Sequence, residues 1–179
     1  MKLFFTFILK YILGWKISKS YPKYLKKYVI IAAPHTSWQD FPIAIIAKFS
    51  VGLPANYIGA DYLFKPPFGF IFKWLGGAPV DRSKSNKLVD QIVDTFNSKE
   101  QFILAMSPEG TRQKVDKWKT GFYYIAKGAN VPIVMATLDF EHKDFRFSEP
   151  YYITDNMEAD FKYFYKYFKD IKGKKPELG

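Results

Sequence analysis

Short, wholly apolar runs alternate with segments of helical period along most of this chain, and that alternation restricts the fold more than any other feature. "YVIIAAP" (28–34) reads as a buried strand stopped by a proline, and "PIAIIAKF" (42–49) as a helix. A second strand is expected around 55–59, then a short apolar helix within "FGFIFKWLGG" (68–77), ended by its glycines. "APVDRS" begins as a short strand and runs into a polar loop. In "SNKLVDQIVDTFNS" (85–98), Leu88, Ile92, Val93 and Phe96 recur at helical spacing behind Ser85, a suitable N-cap. "QFILAMSPEGTR" is a buried strand entering a Pro/Gly turn, "GFYYIAKGAN" a helix closed by Gly128, and "VPIVMATLDF" a further strand. Near the end, Phe161, Phe164, Tyr165, Phe168 and Ile171 fall on one helical face, with lysines on much of the other. Strands alternating with helices predict an α/β layered domain, its central sheet largely parallel (mixed) and flanked by helices. In such sheets, sites gather at the C-terminal ends of strands.

At 179 residues the chain suits one domain with a sizeable core. Its net charge of +10 is unevenly placed, for residues 1–28 carry seven lysines and no acid. That stretch opens "MKLFFTFILKYILGW", which Lys10 makes too short and too charged to span a bilayer. No small-residue cleavage site follows it, so it fits a signal peptide poorly. Residues 1–27 are expected to form a basic amphipathic segment lying on an anionic membrane surface, with a helix packed on the domain and its lysines in water as the plainer alternative, and 28–179 a single domain. The absence of cysteine excludes disulfides, a thiolate nucleophile and cysteine metal sites, and is compatible with the cytosol. With two histidines, no metal site is expected. Aromatics make up 20% of the chain; Phe41, Phe64, Phe68, Phe70, Phe72 and Trp74 are read mostly as core.

Three polar clusters sit at expected strand ends. In the first, His35 precedes Asp40 by five positions. A neutral imidazole accepts a proton from a hydroxyl when a carboxylate holds its other nitrogen. Five residues apart on one helix point about 140° apart, so this pair meets only if the chain bends between them. Pro42 supports the bend, because it disfavours helix at Phe41 and suits a first helical turn. Ser37 and Asp40 also make an S-x-x-D capping pattern, which gives Asp40 a purely structural alternative. In the second cluster, "SPEGTR", Arg112 offers a planar fork for phosphate or carboxylate, Gly110 allows close backbone approach, and Glu109 either orients Arg112 or holds a hydroxyl. A surface ion pair between Glu109 and Arg112 is the plainer alternative. In the third, "PVDRS", Arg82 is expected as a second phosphate ligand and Ser83 as a hydrogen-bond donor, with a merely structural polar strand end as the plainer alternative.

Taken together and in order, these blocks resemble the glycerolipid acyltransferases, the lysophosphatidic acid acyltransferase family. His35 to Asp40 matches the family's H-x4-D block, "GGAPVDR" (76–82) its second block, Pro108 to Arg112 its Pro-Glu-Gly-Thr-Arg block, and "VPIVMATL" its fourth. "KTG" at Lys119 to Gly121 is similar to the basic-x-glycine step after the third block. Pro34 stands where the family often has Asn, Met135 where the fourth block often has a second proline, and residues 1–27 replace the N-terminal helical pair of some members. The resemblance implies that His35 is the general base and Asp40 its orienting carboxylate. It implies that Arg82 and Arg112 hold the acceptor phosphate, with Glu109, Gly110 and Thr111 shaping that site. Ser37, Ser83 and Lys119 are possible additional substrate contacts. The implied reaction moves an acyl chain from acyl-CoA or an acyl carrier protein, as co-substrate without a further cofactor, to a lysophospholipid hydroxyl. The expected place is the cytoplasmic face of the cell membrane, as a peripheral or monotopic protein.

Other acceptor lipids remain open. A lipid-directed serine hydrolase using Ser37 or Ser107 is disfavoured, since neither serine lies in a G-x-S-x-G elbow. A nucleic-acid module is disfavoured as well, because the charge is concentrated in one apolar segment.

Overall fold

In the computed structural model, which describes residues 1–80, 85–154 and 156–178, the apolar runs pair into one sheet. A helix α1 (Lys2–Phe7) continues as a π-helical turn over Ile8–Ile12 and leads to strand β1 (Lys16–Lys19). Then come β2 (Lys27–Ala33), α2 (Asp40–Val51), β3 (Ala55–Ala60), α3 (Gly69–Trp74), β4 (Gly77–Val80) and α4 (Ser85–Ser98). The remainder is β5 (Phe102–Met106), α5 (Gly121–Ala129), β6 (Ile133–Asp139), β7 (Asp144–Phe147) and α6 (Met157–Phe168). The seven strands lie in the order β1-β7-β6-β2-β5-β3-β4, and every neighbouring pair is parallel except β6 with β7. The expected layered α/β fold with a largely parallel, mixed sheet is the observed one.

The central strands are apolar on both sides because helices cover both faces. Val29, Ile31 and Ala33 of β2 and Ile133 and Met135 of β6 face one core, shared with α4, α5 and α6. Tyr28, Ile30, Val134, Ala136 and Leu138 face the other, which includes Leu9 and Trp15 from the N-terminal segment. Lys16–Lys19, within the basic stretch, pair in parallel with β7 at the sheet's edge. Here the Ser18 amide and hydroxyl donate to Asp144 at 3.1 and 2.7 Å.

Two local expectations change. Gly128 does not close α5; the helix runs to Ala129 and is capped by Asn130, which takes the left-handed conformation (φ 49°). Gly128 serves packing instead, since a Cβ there would lie 2.9 Å from Val93 of α4. Likewise α6 ends at Phe168, so Ile171 lies beyond it, and only Phe164 and Phe168 of the expected apolar face are fully buried. Tyr165 is 40% exposed, and its ring packs on Trp118 while its hydroxyl accepts from the Trp118 amide at 3.0 Å.

Candidate active site

Register decides which loops meet. Ile31 of β2 lies beside Met106 of β5, and Ala33 beside Thr137 of β6. The parallel strands β2 and β5 therefore release their following loops, 34–39 and 107–120, at the same end of the sheet, as the strand-end rule requires.

The first loop bends back on itself. His35 Nδ1 lies 3.0 Å from Asp40 Oδ2, the first residue of α2. The same Oδ2 accepts the backbone amides of Thr36 and Ser37, both at 2.8 Å. Ser37 Oγ in turn accepts the Gln39 amide at 3.2 Å. Asp40 is 4% exposed, and among the described residues nothing donates to its buried Oδ1. A carboxylate only accepts, so Nδ1 is the ring nitrogen that donates to Asp40. The imidazole itself is part-exposed.

The second loop braces the first. Glu109 is buried, and its Oε2 accepts the His35 amide at 2.8 Å and the Ser107 hydroxyl at 2.9 Å. The hydroxyl that Glu109 holds here is the protein's own, that of Ser107. Burial pushes its carboxyl above the ordinary value, against the pull of those two hydrogen bonds. Gly110 has φ +66°, and the side chain of Lys119 lies over it: a Cβ at 110 would be 2.9 Å from Lys119 Cδ and Cε. The Lys119 amide donates to Pro108 O at 2.9 Å, closing the loop. Thr111 is half-buried and accepts the Gln113 amide at 3.3 Å, while Arg112 is exposed. Arg82 and Ser83 lie outside the described residues. Among the described residues no serine hydroxyl bonds to His35.

A cleft of about 700 Å³ opens beside the His35 loop. Trp38, Pro42, Ile43 and Ile46 wall it, and Trp15 and Phe140 lie across from them. Of the six aromatics read mostly as core, only Phe64 is buried; Phe41 and Phe72 are half-buried, and Phe68, Phe70 and Trp74 are exposed. No described helix is long and apolar enough to cross a membrane.

Sequence reasoning missed the contribution of Ser107 and of the C-terminal tail, where the Lys175 amide donates to Thr36 Oγ1 at 3.1 Å. The first contact is local, but the second joins residues 139 apart and exists only through the folded chain.

The sequence model of a family described as "Acyltransferase" matches residues 16–138. No curated protein matches the chain. Among solved structures, the chain is similar to the 1-acyl-sn-glycerophosphate (LPA) acyltransferase PlsC from Thermotoga maritima, with 18% identity and a TM-score of 0.63. That likeness covers 94% of this chain and 75% of the other, and it establishes the shared fold.

Proposed function

Because the chain belongs to the acyltransferase family, we propose that it transfers a fatty acyl group from an acyl thioester to the free hydroxyl of a lysophospholipid, converting 1-acyl-glycerol-3-phosphate to phosphatidic acid. The observation that carries this reading is the His35–Asp40 pair, 3.0 Å apart at the end of a parallel strand. His35 Nε2 takes the proton of the acceptor hydroxyl as its oxygen attacks the thioester carbonyl. Asp40 stabilises the imidazolium that forms. When the tetrahedral intermediate collapses, the C–S bond breaks, and the imidazolium returns the proton to the thiolate that leaves. No covalent acyl-enzyme is formed.

The acceptor phosphate is held by Arg112 and Arg82, with Lys119 beside Gly110 as a further cation and Ser37 and Ser83 as additional contacts. Glu109, Gly110 and Thr111 shape that site, Glu109 from behind, by fixing the backbone of His35. The apolar cleft at Trp38, Pro42 and Ile43 takes an acyl chain. The PlsC likeness, a protein whose substrate is 1-acyl-sn-glycerophosphate, supports this acceptor. The donor is acyl-CoA or an acyl carrier protein thioester.

The acceptor lies in a bilayer, and one face of the protein suits it. The helix α2 is apolar all round, yet only Asp40, Ala47 and Ser50 of its residues are buried. Phe49 stacks on Phe5 of α1 and on Trp74 of α3, and Leu3, Phe4 and Phe7 of α1 and Phe70 and Trp74 of α3 are exposed. Residues 1–80 hold ten lysines against two aspartates. This is the pattern of a surface that rests on anionic lipid, here the cytoplasmic leaflet.

The test is product analysis. Purified protein is incubated with 1-acyl-glycerol-3-phosphate and either acyl-CoA or an acylated carrier protein, and the lipids are separated. Phosphatidic acid from at least one donor is expected. Release of free fatty acid without phospholipid would show hydrolysis and overturn the reading.

A further inference from the structure

The stretch after α6 lies outside the residues that the family's sequence model matches, yet it reaches the site. It is fastened first to the turn after β6: the Phe140 amide donates to Lys172 O at 2.9 Å, and Lys172 Nζ pairs with Glu141 at 2.6 Å. The next residue, Gly173, is buried against the His35 loop. A Cβ there would lie 2.5 Å from Thr36 Oγ1, 2.9 Å from Thr36 Cγ2 and 3.1 Å from Pro34 Cγ. Two residues on, the Lys175 amide donates to Thr36 Oγ1.

Thr36 is itself 2% exposed, and its own amide donates to Asp40 Oδ2. Contacts therefore run without a break from the tail through Thr36 to Asp40 and on to His35 Nδ1. The loop 34–39 has no ladder of strand or helix bonds to fix it. It is held by Asp40 from within, by Glu109 at the His35 amide, and by the tail from outside.

We propose that the C-terminal tail is a positioning element for the His35–Asp40 pair, acting through Gly173 and Thr36. The inference rests on the acyl-transfer reading only for what the pair does. Gly173 is required for space rather than for backbone freedom, because no left-handed φ occurs there. The Thr36 hydroxyl is required as acceptor, since its loss leaves the Lys175 amide near the loop without a partner.

Gly173→Ala and Thr36→Val test this, with Thr36→Ser as the variant that keeps the hydroxyl. A displaced base loses turnover rather than binding. In both test variants kcat is expected to fall about tenfold or more while KM moves less than about twofold. Thr36→Ser should retain more of kcat than Thr36→Val. A second readout needs no turnover: the chain has two histidines, so the heteronuclear imidazole signals of the folded protein report His35 and His142 separately. The His35 signals should move in Gly173→Ala and Thr36→Val, and less in Thr36→Ser. Folded variants with unmoved His35 signals and wild-type kcat would overturn the proposal, as would a rise in KM alone. A wild-type protein that makes no phospholipid would overturn the acyl-transfer reading instead, and the imidazole comparison would still decide the role of the tail.

Discussion

Asp40 Oδ2 receives the His35 ring and two loop amides at once, but α2 begins at Asp40 itself behind Gln39, with no side-chain cap, so the expected Ser37–Asp40 capping pattern braces the loop instead of capping the helix. The amide bonds fix where the carboxylate sits, and the carboxylate fixes the ring. Glu109 is the other fixed anion. Its carboxyl is raised above 4.5 by burial, so the folded state binds its proton more tightly than the unfolded chain does. The stability it contributes is therefore present below that value and lost as pH rises through the raised folded value. Glu109→Gln removes the buried charge and keeps an acceptor oxygen. Its melting temperature relative to wild type is expected to climb as pH rises above the ordinary carboxylate value, and a constant difference would contradict this. At this scale the sequence offered candidate residues but not how they connect. H-x4-D named the pair, while the link from Glu109 to the His35 amide joins residues 74 apart and depends on β2 and β5 being neighbours.

Elements with their own periodicity were legible. The 85–98 helix and the runs at 28–34 and 102–106 needed no partner to be recognised, because burial on both faces makes a strand apolar throughout. By contrast β1, "KISK", is a polar edge strand whose identity comes from β7 and from Asp144, and nothing local marks it. Nor does a hydrophobic pattern reveal what fastens α6. Asp160, fully buried on that helix, accepts the hydroxyls of Tyr123 and Tyr151 and both the amide and hydroxyl of Thr154, at 2.7 to 2.9 Å. Burial pushes its carboxyl up, but these bonds outweigh it and hold it below the ordinary 3.8. Its contribution is present above that value and lost as pH falls through the depressed one. Asp160→Ala should cost about 3 kcal/mol in denaturant unfolding near neutral pH, since four hydrogen bonds to a buried carboxylate are lost. A cost below about 1 kcal/mol would show that the cluster is not what anchors α6.

For the whole molecule, charge asymmetry was visible in the sequence, but the surface that accompanies it was not. Phe68, Phe70 and Trp74 lie in an apolar run that reads as core, and only the placement of α3 at the flank of α2 leaves them outside. If that face rests on lipid, Phe70→Glu should weaken sedimentation with anionic vesicles about tenfold or more, and added salt should weaken the wild type. Undiminished binding by the variant would place the contact elsewhere. The fold, the face and the two braced loops all bear on one nitrogen, His35 Nε2. The most direct measurement is the rate of phosphatidic acid formation by wild type and by His35→Ala, with thermal melting recorded for both. The account predicts a loss of about 10²-fold or more in a variant that melts like wild type. Equal rates in the two proteins would contradict it.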